Sequence, residues 1–450
     1  MMDMEGVGHM RTIKHRLDLV FLWLFIPLSL LMMIAMPVTR TPDEPSHLRQ
    51  AYLIADGQLI SSFTSGTVSI PENWDLPHGG NEFSYSDLYQ AKDIFLSDRS
   101  IQMETNAATA IYPPISYFPQ ALGMWIAMLF TDNLLIILYS ARMINWLCVT
   151  LLLYAAIRML PANRMLFLFL ALLPMNLQQI ISASADGLAI ALVYALAAFV
   201  MHCMEKKPAF TWQHYLTALL LAIGVCSWKV FYTPMIFLLL FIPSTCFGSS
   251  SKKKIGMGCI LGTSLLLLAG WALICFLTMF KGSESGLTGQ TMSGISTFLH
   301  NPLNFLVKLF AALKSNLPGY ISGIFGYKHS MSWFNVTPGI FLTAASICTL
   351  LLFFFADDTR TWQPKYRIAS LGLSVVCILL SFLLLYLWWT PAESPRIEGF
   401  QSRYVLPLLF PMGIAVWQMP KHRINNRLVL LALVVLVDLG YIWQIFTQIA

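Results

Sequence analysis

Charge is scarce in this chain. Lys, Arg, Asp and Glu make up 11% of 450 residues against 57% hydrophobic ones, a balance that excludes an ordinary soluble globular protein. No disulfide framework or CxxC metal site is indicated: Cys148, Cys203, Cys226, Cys246, Cys259, Cys275, Cys348 and Cys377 all lie in or beside apolar runs. The chain has no low-complexity tract and no separate soluble domain. It also has no internal repeat, and the missing inverted repeat counts against a secondary transporter. The net charge of +6 does not point to nucleic acid, because the basic residues sit in short loops between apolar runs.

What the sequence does have is a series of apolar runs, several of the roughly 20 residues that a bilayer span requires. Arg11, Lys14 and Arg16 precede the first, Leu19 to Met36, which ends at Met36-Pro37-Val38 without a small-residue cleavage pattern and therefore reads as an uncleaved anchor. With those basic residues inside, the chain from Val38 onward lies outside. The short run Ile115 to Phe130, entered through Tyr112-Pro113-Pro114, leaves two topologies: it crosses, or it lies at the outer interface.

The interfacial choice puts every later basic cluster on one side: Arg158 and Arg164; Lys206 and Lys207; Lys252, Lys253 and Lys254; Arg360, Lys365 and Arg367; Lys421, Arg423 and Arg427. Further spans are then expected at Leu134–Ile157, Met165–Ser182, Leu188–Met201, Tyr215–Ser227, Phe231–Phe247 and Ile255–Phe280. Ile340–Phe355, Ile368–Trp389, Tyr404–Trp417 and Leu428–Ile449 complete the series. The expectation is an all-α polytopic membrane protein of about eleven spans, amino terminus inside and carboxyl terminus outside, forming one transmembrane domain over residues 1–450.

Two large outer loops are expected. The first, 38–133, carries a juxtamembrane helix, and its segment Val38 to Pro114 holds ten acidic residues against four basic ones. The second, 281–337, contains Leu303, Leu306, Leu309, Phe310, Leu313 and Leu317 at helical spacing, interrupted by Lys308 and Lys314. That pattern fits an amphipathic helix on the outer leaflet and equally a cover over the bundle.

On this topology several polar residues gather at the outer face. Asp43 and Glu44, flanked by Pro42 and Pro45, follow the first span; Asp186 lies at the outer end of the third and fourth, Lys229 in the turn between the fifth and sixth, and Arg403 at the start of the tenth. Arg142 and Asn145 lie two to three turns into the second span. Carboxylates beside cations at a lipid boundary suit transfer of a group from a lipid phosphate. A carboxylate takes the proton of an attacking hydroxyl, and Arg or Lys holds the departing phosphate.

Blander readings stand beside these. Asp43 and Glu44 fit caps of a short helix, as does Asp186 before Gly187. Lys229 fits a snorkelling side chain, and Arg142 a buried residue with a structural partner. Tyr112, Tyr117, Trp388 and Trp389 are first an aromatic belt and second sugar-stacking platforms. Asp438, mid-span in the last helix, receives no role.

Pro42-Asp43-Glu44-Pro45 with His47 and Ala51-Tyr52, then Tyr112-Pro113-Pro114 with Ser116-Tyr117, resembles the polytopic GT-C glycosyltransferases that use polyprenyl-phosphate sugars. Ser184-Ala185-Asp186, Phe325-Gly326-Tyr327 and Gln401-Ser402-Arg403-Tyr404 with Pro407 are similar to a bacterial branch long labelled only as predicted membrane proteins. The resemblance implies a catalytic acid in the first outer loop, matched by Asp43 with Glu44 beside it and supported by His47 and Asp186. It also bears on Arg403 as a phosphate ligand, and the site expected from these residues binds the donor phosphate through Arg403, Lys229 and Arg142, with Tyr112, Tyr117 and Tyr404 lining the substrate.

The implied partners are an undecaprenyl-phosphate-linked sugar donor, a cell-envelope glycan or lipid acceptor, and membrane lipids, with no nucleic acid. The implied place is the bacterial inner membrane, with an active site facing the periplasm and an inverting transfer. No cofactor follows, and the sequence lacks the extra acidic motif that accompanies a divalent metal in the oligosaccharyltransferase branch. Alternatives are a lipid-linked sugar flippase, or an O-antigen ligase or polymerase.

Overall fold

The computed structural model describes residues 16–59, 67–74, 76, 83–104, 107–279, 294–327, 330–356, 358, 360–416, 424 and 426–449. Arg11, Lys14, Phe280, the first part of the second outer loop from 281 to 293, Trp417, Lys421 and Arg423 lie outside the described residues. The chain is mostly helical, as it must be where lipid offers no partner to backbone N–H and C=O groups. Among the described residues six helices are long and apolar enough to cross a membrane: Leu17–Ala35, Leu134–Met159, Asp186–Lys206, Ser250–Leu277, Pro364–Trp388 and Arg427–Ile449.

Asp186–Lys206 is the central post, with 94% of its apolar window buried. Its small residues Ala189, Ala191, Ala195, Ala197 and Ala198 let neighbours approach on all sides. Packed around it are Leu134–Met159, Trp212–Trp228, Pro174–Ile181 and two 3-10 segments, Val230–Phe241 and Ser402–Leu408. Gly187 marks the closest approach: a Cβ there would stand 2.9 Å from the Gln179 carbonyl oxygen and from the Ile180 Cα.

Three expected spans are irregular. Met165–Ser182 is two helices, Arg164–Leu172 and Pro174–Ile181, bent by 64°. Pro174 has no N–H to continue the first helix and pushes Leu173 into extended backbone, so the second piece starts afresh. Phe231–Phe247 is a 3-10 run with Pro234 inside it, followed by a short turn at Ser244–Phe247. Tyr404–Trp417 begins as the 3-10 segment Ser402–Leu408, holding Pro407, before the helix Leu409–Val416.

The segment expected to form the first outer loop corrects the all-α expectation. Thr67–Pro71 (β1) and Ser100–Glu104 (β2) form a two-stranded antiparallel sheet, with Val68 opposite Met103 and Ile70 opposite Ile101. Its alternating residues drive this, because Val68 and Ile70 face inward onto a small core with Leu48, Tyr52, Trp74, Phe83 and Tyr117. That core also takes Met124 and Ile137, fastening the loop to the helices Phe118–Met128 and Leu134–Met159. Phe118–Met128 exposes Phe118, Trp125 and Ile126, followed by Leu129 and Phe130, an apolar edge suited to a membrane interface.

In the segment expected to form the second outer loop, Pro302–Gly323 exposes Leu303, Leu306, Val307, Phe310, Leu317 and Ile321 while Leu309 and Ala312 pack inward. Lys308 is buried and donates to the Ala392 carbonyl oxygen at 2.8 Å, so it interrupts the apolar stripe without reaching solvent. At the far end of the central post the basic loops meet. Arg360 pairs with Glu205 at 2.6 Å, the Asn163 N–H donates to the Asp358 carbonyl at 3.0 Å, and Arg367 Nε donates to the Ala415 carbonyl at 2.9 Å.

Candidate functional site

The turn between Leu17–Ala35 and the helix Glu44–Ala55 is built on one fully buried ion pair. Arg142 Nε donates to Glu44 Oε1 at 2.7 Å and Nη2 to Oε2 at 2.6 Å, with neither side chain exposed. The same guanidinium donates to the Met36 and Pro37 carbonyls at 2.7 and 2.9 Å. Glu44 also accepts from the Thr39 N–H at 3.0 Å and the Ala183 N–H at 2.8 Å. Both carboxylate oxygens and all three guanidinium nitrogens are hydrogen-bonded, and both side chains are fully buried. Glu44 is therefore not available as a base, nor Arg142 as a phosphate ligand; both roles expected from sequence give way to a structural clamp.

The clamp sets Asp43. The backbone there is left-handed, with φ of 64°, a conformation that Asp tolerates better than most residues. Its carboxylate does not cap the following helix. It pairs instead with Arg403 Nη2, and its side chain remains 49% exposed. Arg403 is otherwise buried; its Nη1 donates to the Pro42 carbonyl at 2.9 Å and lies 3.3 Å from Asp186 Oδ2. Asp186 in turn holds the ammonium of buried Lys229, which sits 4.9 Å from the centre of the Tyr404 ring. Lys229 is thus occupied by Asp186 and does not snorkel.

Sequence-distant segments meet here because their ends are fastened to one another. Gln120 Nε2 donates to the Ala183 and Ser184 carbonyls at 3.2 and 3.3 Å, and Asn145 Nδ2 to the Ser182 carbonyl at 2.8 Å. These bonds fix the stretch that presents Asp186. Tyr232 O–H donates to the Tyr404 carbonyl at 2.8 Å, fixing the backbone after Arg403. Two acids and two bases cancel, so the cluster is neutral overall.

A second group adjoins it. His47 Nδ1 shares a hydrogen bond of 2.7 Å with the Tyr117 hydroxyl, and the Tyr112 ring lies 6.3 Å from the imidazole. Burial pushes the imidazole pKa down to about 4, leaving it neutral at physiological pH. Burial also pushes the Tyr112 and Tyr117 hydroxyls up, so both stay phenols. The Arg403 guanidinium holds the Asp43 carboxyl below the ordinary aspartate range, which keeps it ionised.

Beside the cluster opens a cleft of about 130 Å³, lined by Pro42, Met175, Gln178, Gln179, Ser330, Phe334 and the run Phe400 to Arg403. Arg403, which lines it, has a buried Nε without a hydrogen-bond partner. Gln178 and Gln179 were missed from sequence, although the polar residues Asn176, Gln178 and Gln179 after Pro174 interrupt an otherwise apolar span. Among the described residues no three His, Cys, Asp or Glu side chains converge as a metal-ligand set.

A family model described as a predicted membrane protein, DUF2142, matches residues 26–412. No curated protein and no solved structure matches the chain.

The buried clamp generates a prediction. Glu44→Gln or Arg142→Met each leaves an uncompensated buried charge, and each should destabilise the fold by about 3–5 kcal/mol. Thermal unfolding of the purified protein in detergent measures this; an unchanged midpoint in either variant refutes the structural assignment.

Proposed function

We propose, for a chain that belongs to the DUF2142 family of predicted membrane proteins, that it is a GT-C-like glycosyltransferase moving a sugar from a polyprenyl-phosphate donor to an envelope glycan or lipid. The observation that carries this reading is the half-exposed Asp43 carboxylate, held by an arginine that lines a cleft and whose buried Nε has no hydrogen-bond partner. An ionised base and an unspent cationic donor at the rim of a membrane bundle are what the reaction needs. The acceptor hydroxyl attacks the anomeric carbon, and Asp43 takes its proton. The bond from that carbon to the phosphate oxygen breaks, and its electron pair leaves with polyprenyl phosphate, steadied by Arg403. A single displacement of this kind inverts the anomeric centre. Lys229 and Asp186 hold Arg403 in place, while neutral His47 with Tyr112 and Tyr117 forms a wall beside the base.

The membrane arrangement belongs to the same proposal. The six long helices, the bent pair, Trp212–Trp228 and the shorter apolar segments Val230–Phe241, Ile340–Phe353 and Ser402–Val416 supply eleven spans. The basic loops around Arg164, Lys206 and Arg360 lie at the end of the central post opposite Asp43. That polarity supports an inside amino terminus and a site on the periplasmic face of a bacterial inner membrane. A flippase would want basic residues free along a central path; here Arg142, Lys229 and Arg403 are paired with acids.

With purified protein and a polyprenyl-phosphate sugar donor, Asp43→Asn should lower the transfer rate by about 10²–10⁴-fold with the unfolding midpoint little changed. Full activity in this variant removes Asp43 as the base. The pH profile gives an independent check. A depressed carboxyl pKa keeps the base ionised above the ordinary aspartate value of about 3.9 and loses it only below that. The acid limb should therefore lie under pH 4, with no limb from His47 between pH 5 and 8, and Arg403→Gln should move the limb upward. An unmoved limb contradicts the pairing.

For topology, an impermeant maleimide applied to spheroplasts should label Gln90→Cys, and Ala209→Cys only after lysis. The reverse pattern inverts the arrangement.

A further inference from the structure

Pro174–Ile181 brings two glutamines into the cleft beside Arg403, and their amides are unusually placed. Both residues are fully buried. Gln179 has neither its oxygen nor its nitrogen hydrogen-bonded, and Gln178 has a free Nε2 although its oxygen accepts from the Ser332 N–H at 2.8 Å. Gln401 adds an unpartnered Oε1, and Arg403 an unpartnered Nε. All four residues line the same space, together with the apolar side chains of Met175, Phe334 and Phe400. Unpaired buried amides are costly, and a cluster of them implies something that both donates and accepts hydrogen bonds. The cleft volume of about 130 Å³ far exceeds the about 10–15 Å³ that a single water needs.

We infer that Gln178, Gln179 and Gln401 form the recognition site for the sugar ring of the lipid-linked donor. Neutral amides match sugar hydroxyls, which donate and accept alike, whereas a phosphate calls for cations. Phe334 and Phe400 offer apolar faces to the ring's C–H groups. A sugar is joined to its phosphate by one bond, so a phosphate held beside Arg403 leaves the ring in this cleft. The inference rests on the proposed donor chemistry and adds the residues that select it.

The test uses Gln179→Met in the full-length protein, because Gln179 makes no side-chain bond whose loss would disturb the fold. The probes are polyprenyl phosphate alone and the same carrier bearing a hexose, an N-acetylhexosamine or a pentose, with affinity measured in detergent. Wild-type protein should bind at least one sugar-bearing carrier about tenfold more tightly than the bare carrier. Gln179→Met should lose that increment, retain bare-carrier affinity and keep or raise its unfolding midpoint. The inference is overturned if no sugar improves wild-type binding, which would mean that the amides hold only water. It is equally overturned if the increment survives in Gln179→Met, or if bare-carrier affinity falls with it. Sugar transfer that persists in wild type and depends on Asp43 would keep the proposed function standing in each of those cases, so the two failures are distinct.

Discussion

Everything at the rim of this bundle hangs on the Arg142–Glu44 pair. One guanidinium grips the last carbonyls of the first helix and the first side chain of the next, so it fixes both sides of the turn that carries Asp43. Two charges buried in a lipid-embedded bundle are not a cheap way to gain stability, since apolar residues of similar volume generally serve as well. What the pair supplies is position: a turn with two left-handed residues, Thr39 and Asp43, has few ways to be held, and four backbone hydrogen bonds to one ion pair hold it, three of them with Met36, Pro37 and Thr39. Without that turn the Asp43 carboxylate has no fixed relation to Arg403, which comes from more than 350 residues away in sequence.

The outer cluster uses the same principle with a different balance. Asp186 and Lys229 satisfy each other in the interior, and Arg403 spreads its charge over Asp186, Asp43 and the Pro42 carbonyl. Only Asp43 meets solvent to any extent. In a low-dielectric setting a charged group stays charged when its neighbours compensate it, and here compensation is complete on the buried side and partial at the exposed end. The result is a gradient from fixed structural charge to available charge along a single chain of contacts. The half-exposed Asp43 carboxylate sits where that chain opens.

Much of this was legible in the sequence. Apolar run lengths located the long helices, with ends that differ by only a few residues, because hydrocarbon thickness sets their minimum extent. Asp43 and Arg403 stood out because ionisable residues at span ends need a reason, and Arg142 because a cation so deep needs a partner. The identity of that partner was not legible: nothing local ties Glu44 to Arg142, 98 residues away, and adjacency to Asp43 made Glu44 look like a second acid of the same site. The sheet was hidden for a different reason. Its strands are five residues each, embedded in a polar loop, and only their packing under Tyr52 and Trp74 gives them stability. The glutamines escaped because hydropathy averages over a window, and Leu, Ile and Met around them outweigh two amides.

The irregular backbone explains why those amides are where they are. The bend at Leu173–Pro174, the 3-10 run with Pro234 and the 3-10 run with Pro407 all border the central post near its Asp186 end. Non-helical backbone at membrane depth persists where it is buried in protein or lines a cavity, since exposed to lipid its polar groups would have no partners. A straight helix through Met165 to Ser182 would have left no such break beside the cleft. The bend starts a new helix that carries Gln178 and Gln179 along the cleft, and the close pass at Gly187 keeps it against the central post. An unpaired buried amide costs about 1–3 kcal/mol. A fold that could have placed leucine at Gln179 without losing a hydrogen bond instead keeps the bend, the glycine and the amides together, which is the pattern expected when the missing hydrogen bonds are supplied by a ligand.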